Sequence, residues 1–344
     1  MANLIKYLIK TNYQNKTYKS LNTMKNQLKL RFKNIFNHSL ILSLPLSLFL
    51  GISYFNVSLA QNESQSSTSN SQKNLTQNTQ KSQNTPSSSL ELEELTKSCQ
   101  ESFKNKDKET LTTCLKVAEQ NQSGEIYYLI SEIYSLGIGT NVNQSQQINY
   151  LNKAAHLKYP KALTSLGNIT IGAYLEFKNK NVGKNGIAYL EEASKLGDLS
   201  AKFALAKLKT SPLFKDIYEY NLVTANKELN DLYNQGFLEA GIYVALNHYQ
   251  GIGTEVNKQQ AIQTLNDLVA KKYPDALISL SEIYTTDEEL KNPLLAYATF
   301  YAYANCNPSS KNLKKVEELK KVLPAKDVNK ANNIGSALTN DACQ

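Results

Sequence analysis

Tryptophan is absent from this 344-residue chain, and arginine occurs once, as Arg31 near the amino terminus. Proteins commonly hold phosphate groups through bidentate arginine contacts, so the lack of arginine in residues 32–344 argues against nucleic-acid binding there. Histidine occurs only three times, which leaves little material for general-base catalysis or for metal ligation. We therefore predict no catalytic residue, no bound metal and no cofactor.

Acidic residues are also absent from one part of the chain, the first 60 residues, which contain eight lysine or arginine residues. The formal net charge of +8 therefore arises entirely from this segment. Residues 61–344 contain 30 lysines (38 − 8) and 30 acidic residues, so they are electrically neutral. A neutral segment without arginine is a poor candidate for nucleic-acid binding, and the basic pI of the whole chain does not change this.

The order of residues within 1–60 is typical of a secretory signal peptide. A basic stretch follows Met24, an apolar run spans 40–55, and small residues precede Ala60. We predict cleavage between Ala60 and Gln61, with Met24 as a candidate for the true start. The alternative is an uncleaved membrane anchor, although the apolar run is shorter than the roughly 20 residues that a spanning helix needs.

Residues 61–89 consist almost entirely of glutamine, asparagine, serine, threonine and lysine. Such a composition buries too little apolar surface to offset the entropy of ordering the chain, so we predict a disordered linker. The linker either holds the following residues away from a membrane or is a passive spacer.

One motif occurs twice: Gly-Ile-Gly-Thr at 137–140 and again at 251–254. In both copies Lys-Tyr-Pro begins 21 residues after the first glycine, at Lys158 and Lys272. The copies lie 114 residues apart (251 − 137), which is three periods of 38 and indicates a repeat array. A weaker signature, a large apolar residue followed by a small one, recurs at Ile130-Ser131, Leu166-Gly167, Leu205-Ala206, Val244-Ala245 and Leu280-Ser281.

Each repeat is predicted to form two antiparallel helices, helix A and helix B. The Gly-x-Gly turn ends helix A because glycine adopts positive φ without steric penalty. Asn143 and Asn257 are predicted caps of helix B. Pro160 and Pro274 are predicted in the first turn of the next helix A, where proline is well tolerated.

This pattern resembles the Sel1-like repeat, a relative of the tetratricopeptide repeat, over roughly residues 110–305. The tryptophan typical of that family is missing, and Tyr150 and Tyr189 stand at two of its positions. The resemblance implies an all-α fold, an α-solenoid of antiparallel helix pairs with helical caps. It also implies a non-enzymatic scaffold that binds other proteins, of a family in which several exported bacterial members support host infection.

The repeats are predicted to occupy residues 90–305, with 90–121 as a divergent hairpin that caps the amino-terminal end. Apolar residues recur every three or four positions in 306–344, on both sides of Pro324. This segment is predicted to be either a carboxy-terminal cap or a coiled-coil-like helix for a partner or for self-association.

Four cysteines in an exported chain indicate disulfides, although sequence alone allows three connectivities. Cys99 and Cys114 are centred on the polar turn of the predicted hairpin, so they should lie level with each other. Cys306 and Cys343 are centred on Pro324, and the same argument pairs them.

Partner-binding residues are predicted on the concave, helix-A side of the array. The residue before each apolar signature residue and the residue two after it should point outward. Tyr243 and Leu246 are the strongest candidates for anchors, because aromatic and large apolar side chains carry most interface energy. Alternatively, both pack against the neighbouring repeat. The predicted set is Leu129, Glu132, Ser165, Asn168, Ala204, Lys207, Tyr243, Leu246, Ser279 and Glu282.

The sequence thus predicts an exported, monomeric scaffold in the periplasm or at the outer membrane or surface of a Gram-negative bacterium. Its partner would be a protein, with an envelope or outer-membrane protein favoured, and it would meet the membrane only through the signal peptide or a docked partner. Two alternatives stay open: a weak envelope hydrolase acting on β-lactams or peptidoglycan, and a periplasmic chaperone or assembly factor. No Ser-x-x-Lys motif with its partner motifs supports the hydrolase.

Overall fold

The computed structural model describes residues 87–343, and within this range it contains fourteen α-helices and no strand. The predictions that fall on residues 1–86, including the signal peptide, the Ala60–Gln61 cleavage site and most of the linker, lie outside the described residues. The helices are α1 Ser87–Asn105, α2 Thr110–Gln120, α3 Gly124–Leu136, α4 Gln144–His156, α5 Pro160–Phe177, α6 Lys180–Lys195, α7 Leu199–Thr210, α8 Leu222–Asn234, α9 Leu238–Gln250, α10 Lys258–Ala270, α11 Ala276–Thr286, α12 Pro293–Cys306, α13 Ser310–Lys321 and α14 Val328–Cys343.

The predicted all-α fold of antiparallel helix pairs is confirmed. The described residues divide into two compact units, 87–189 and 190–343. Within the units, consecutive helices pack as pairs, with α3 on α4 in the first and with α7 on α8, α9 on α10 and α11 on α12 in the second. Successive pairs of a unit also pack on one another, as α4 packs on α5 and α8 on α9, which is the stacking of an α-solenoid.

The first glycine of each Gly-x-Gly turn ends a helix A, as predicted. Gly137 and Gly251 have φ of 70° and 74°, in the left-handed region that favours glycine. Their amides donate to the carbonyls of Ile133 and Asn247, which closes the last turn of α3 and of α9.

The second glycine is required because of a close approach between successive repeats. A Cβ atom at Gly139 would overlap the backbone carbonyl of Lys108, just before α2. A Cβ atom at Gly253 would overlap the carbonyl of Leu222, the first residue of α8. In both copies, therefore, the turn of one repeat rests on the start of helix B of the preceding pair.

Asparagine caps open the second helices. The Oδ1 atoms of Asn143 and Asn257 accept hydrogen bonds from backbone amides three residues on, at 3.1 and 2.9 Å, as predicted. Asn221 caps α8 in the same way, although its repeat lacks the glycine turn.

The prediction for Pro160 is confirmed, since α5 begins there. The prediction for Pro274 is wrong, because α11 begins two residues later.

The α7–α8 pair departs most from the repeat. Residues 211–221 join its two helices, whereas the glycine turns of the other copies occupy only 137–143 and 251–257. The longer connection contains a 3₁₀ turn, Pro212–Phe214, and buries the side chains of Phe214 and Ile217. In this pair, a longer connection with buried apolar side chains thus replaces the glycine turn.

A buried carboxylate links three helices of the second unit. Asp287, just after α11, accepts hydrogen bonds from the hydroxyl of Tyr249 at 2.6 Å and from the backbone amides of Glu289 and Leu290. The ammonium of Lys258 lies 2.9 Å from the same carboxylate. These donors, with Tyr249 contributing most and Lys258 next, hold the pKa of Asp287 well below its usual range.

The two ends of the described region are closed by disulfides. Cys99 of α1 and Cys114 of α2 are bonded, with Cα atoms 4.9 Å apart and no exposed surface, in a core that includes Ile130 of α3. The helix that carries Cys99 begins at Ser87, so the last three residues of the predicted 61–89 linker are helical.

At the other end, Cys306 of α12 is bonded to Cys343 of α14, with Cα atoms 5.8 Å apart. Helices α13 and α14 both pack on α12. Tyr297, Val316, Leu319 and their neighbours form one buried cluster there, whereas Leu313 and Val322 of the same segment are exposed.

A candidate binding groove on the helix-A face

The helix-A face of the second unit is formed by α7, α9 and α11, the first helices of three successive pairs. Three positions on each of α7 and α9, spaced four and three residues apart, lie on one side of the helix, and the equivalent positions at α11 begin with its N-cap residue. Corresponding positions are 39 residues apart between α7 and α9 and 36 apart between α9 and α11. The nine residues of this face are Ser200, Ala204 and Lys207, then Glu239, Tyr243 and Leu246, then Asp275, Ser279 and Glu282.

The structure exposes only some of the predicted partner-binding residues. Ala204, Lys207 and Ser279 are buried, so the expectation that they point outward is wrong. Lys207 is covered in part by Tyr243 of the neighbouring helix A. The other predicted residues are half-buried: Leu129, Glu132, Ser165 and Asn168 in the first unit, and Tyr243, Leu246 and Glu282 in the second.

Lys207 is 6% exposed, and its ammonium lies on aromatic rings. The Nζ atom is 4.4 Å from the ring centroid of Phe203 and 5.5 Å from that of Tyr243, within the range of cation–π attraction. Burial lowers the pKa of Lys207 to about 8, and the charge of Glu239 partly opposes this change. Lys207 therefore offsets negative charge within the face, and its buried ammonium is not available to a ligand.

Tyr243 has a structural as well as a surface role. Its ring meets Phe203 of α7 edge-on, with centroids 5.2 Å apart, and belongs to the core between α7 and α9. This agrees with the alternative reading, in which the residue packs against the neighbouring repeat. Burial, followed by the charges of Glu239 and Tyr273, raises the pKa of Tyr243.

Sequence reasoning missed the two carboxylates of this face. Glu239 and Asp275 are both half-buried, and burial raises the pKa of each. Besides burial, which has the largest effect, the charge of Lys207 lowers the pKa of Glu239 and the charge of Asp275 raises it. Both acids lie one helical turn before positions that the sequence did single out. Extending the predicted set of partner-binding positions by one helical turn toward the amino terminus would have included both acids.

The charge of Asp275 contributes to the pKa of two tyrosines. After burial, the charges of Glu239 and then Asp275 raise the pKa of Tyr273, and the charge of Asp275 raises that of Tyr303. Burial raises the pKa of Asp275 itself. Its carboxylate makes no capping hydrogen bond to α11.

A separate polar cavity of about 340 Å³ lies beside the long connection of the α7–α8 pair. The ammonium of Lys209 and the carboxylate of Glu228 meet there at 2.5 Å. Burial raises the pKa of Tyr218 to about 12, with nearby acids adding to the effect. Because its buried cation is already paired, this cavity offers less to a charged ligand than the helix-A face. Its lining residues are Ser194, Lys202, Leu205, Lys209, Tyr218, Glu228, Asp231, Leu232 and Gln235.

Residues 87–343 contain no cluster of three or more histidine, cysteine, aspartate or glutamate side chains arranged to hold a metal ion. Among the helices of the same range, none combines the length and the apolar character that crossing a membrane requires.

The sequence matches no family model and no curated protein. Among solved structures, it is similar to c5321, described as a protective antigen present in uropathogenic Escherichia coli strains and displaying an SLR fold, with 14% identity and a TM-score of 0.42. That match covers 73% of this chain and 62% of the other. A Sel1 repeat protein from Oxalobacter formigenes is similar with 16% identity and a TM-score of 0.45, over 62% and 87% of the two chains. Both structural neighbours are Sel1-repeat proteins.

Proposed function

We propose that this chain is an exported scaffold that binds another protein through the helix-A face of its second unit. The observation that carries the proposal is the pair Tyr243 and Leu246 of α9, a large aromatic and a large apolar side chain that stay only half-buried on this face. Tyrosine is among the residues enriched at the positions that contribute most to the free energy of protein–protein binding.

Export is proposed from two independent features. Residues 24–60 have the order of a secretory signal peptide. Both disulfides are of the kind that persists in an oxidising compartment. We infer a location in the periplasm, or at the outer membrane or surface of a Gram-negative bacterium, with an envelope protein as the partner. Support of host infection is the biological role that the family resemblance suggests.

The proposed state is a monomer. The carboxy-terminal α14 is the segment that the sequence offers for self-association, but its apolar residues pack on α12 and α10 in the same chain. A coiled coil with a second copy would have to displace those contacts and the Cys306–Cys343 bond that secures the helix.

Site-specific photo-crosslinking in intact cells tests the proposal. A photoreactive amino acid is placed at Leu246 or at Glu282, which share one position of the helix-A face. The control is Val223 of α8, an exposed residue on a second helix. Positions on the face should capture one discrete protein, and Val223 should not. Equal capture from all three positions, or none from the face in a folded protein, would contradict the proposed function.

A further inference from the structure

The two disulfides of the described region differ in how far a thiol in solution can reach their sulfurs. Cys99 and Cys114 have no exposed surface, and the core around them includes Ile130 of α3. Cys343, at the end of α14, is exposed, and Cys306 is half-buried. Reduction by a thiol begins with attack of a thiolate on one sulfur, so its rate depends on access to that sulfur. The Cys306–Cys343 bond is therefore open to thiol exchange, whereas the Cys99–Cys114 bond is shielded.

Helix α14 depends on this bond because its own sequence forms a helix poorly. Half of its 16 residues are asparagine, glycine, serine, threonine or aspartate, which have lower helix propensities than alanine or leucine. The residues that it buries are small, namely Ala331, Gly335 and Ala342. Burial of so little side-chain surface adds only a modest hydrophobic contribution to the docking of the helix.

The carboxy-terminal half of α14 makes few strong contacts apart from the disulfide. The hydroxyl of Thr339 accepts a hydrogen bond from the side-chain amide of Asn305 at 3.3 Å, and the carbonyl of Asn340 accepts one from Lys272 at 3.1 Å. Both hydrogen bonds are exposed, so water can replace them at little net cost. Leu338, the one large apolar residue of 335–343, is half-buried. The disulfide is thus the main restraint that holds this half on α12.

We propose that the Cys306–Cys343 bond is a site of thiol–disulfide exchange, and that its reduction releases the carboxy-terminal half of α14 from α12. A thiolate of an external dithiol bonds to the exposed sulfur of Cys343, and Cys306 leaves as a thiolate. The second thiol of the dithiol then displaces the sulfur of Cys343 and forms the disulfide of the reductant. Two electrons pass to the protein, and the two protons of the dithiol end on the sulfurs of Cys306 and Cys343.

This release changes the end of the array and not the proposed binding face. Helix α14 packs on α12 and α10, whereas the helix-A face is formed by α7, α9 and α11. The inference therefore holds or fails independently of the partner proposed for that face. It assigns different roles to the two disulfides, a permanent one at the amino-terminal end and a reversible one at the carboxy-terminal end.

Reduction of the full-length oxidised protein by dithiothreitol, followed by alkylation and peptide mapping, tests the exchange site. Because a thiol reaches the buried sulfurs only after local opening, thiols should appear at Cys306 and Cys343 about a hundred-fold faster than at Cys99 and Cys114. The buried bond is the matched control, and the two bonds should react at similar rates once guanidinium has unfolded the chain. Equal rates in the folded protein, or the same difference after unfolding, would overturn the inference.

Glutathione, a monothiol, identifies the sulfur that is attacked. Brief exposure of the oxidised protein, followed by acid quenching, should leave glutathione on Cys343, because its sulfur is the more accessible of the two. Glutathione found mainly on Cys306 would contradict the proposed direction of attack.

Hydrogen exchange of the selectively reduced protein measures the release of α14. The bond closes a loop across a sequence separation of 37 residues. Its loss should increase the opening equilibrium of this segment by up to about 500-fold, as the entropy of loop closure implies. Protection of residues 335–343 should fall accordingly and return on reoxidation, while protection of α9 stays the same. Unchanged protection of 335–343 after reduction would refute the proposed release.

Discussion

Removing the disulfide between Cys99 and Cys114, by changing both residues to alanine, should loosen one end of the molecule and leave the rest unaffected. The bond joins α1 to α2 across a sequence separation of 15 residues. For a loop of this length, the loss of unfolded-state entropy on closure corresponds to about 3 kcal/mol. Alanine is the appropriate replacement because both positions are fully buried and a serine hydroxyl there would lack partners.

The loss should appear locally because of where the hairpin lies. Apart from their contact with each other, α1 and α2 pack chiefly on α3, so opening this hairpin leaves the other helix pairs intact. In a repeat array, stability is close to a sum over neighbouring contacts, and a terminal repeat can unfold alone. A loss of about 3 kcal/mol corresponds to an increase of about a hundred-fold in the opening equilibrium of this hairpin.

Native-state hydrogen exchange, followed by mass spectrometry of peptides from Thr110–Gln120, measures that opening. Protection of α2 should fall about a hundred-fold in the double alanine variant, while protection of α9 stays the same. The corresponding change at Cys306 and Cys343 serves as the control and should affect α12 and α14 only. Unchanged protection of α2, or an equal loss in all helices, would refute the reasoning.

Four further outcomes are expected. The folded-state pKa of Asp287 is depressed, so the contribution of this carboxylate to stability is present above its unfolded pKa of about 3.9 and is lost as the pH falls below that value. Between pH 6 and pH 3, the thermal midpoint of Asp287→Asn should therefore change less than that of the unmodified protein. Gly253→Ala should lower the midpoint far more than Gly236→Ala, since both glycines have positive φ but only the first would place a Cβ atom against backbone. Sequencing of exported protein should give Gln61 first, and Ala60→Arg should block processing. Purified protein should not hydrolyse nitrocefin above background, and saturable turnover would favour the hydrolase alternative.

The features that the sequence predicted correctly are the ones that depend on local chemistry. Gly137 and Gly251 end their helices because the left-handed conformation favours glycine, wherever the helix packs. Asn143 and Asn257 cap theirs because the capping side chain bonds to amides only three residues away. The disulfide pairing likewise depends on two positions equally distant from a turn.

The errors concern contacts between neighbouring repeats. Periodicity places Lys207 on the correct face of α7, but it contains no information on how closely Phe203 and Tyr243 surround the side chain. The half-burial of Glu239 is likewise absent from the sequence pattern, because it depends on how the helices around α9 pack and not on the residues next to it in the chain.

The second glycine of the turn restricts how this chain could arise by duplication. At Gly139 and at Gly253 a Cβ atom would overlap a backbone carbonyl of the preceding helix pair, so the two pairs keep this spacing only while the position stays glycine. A repeat without that glycine, placed at either position, would have to lie further from its predecessor. A duplicated or recombined array therefore keeps the spacing of these pairs only where it keeps the second glycine.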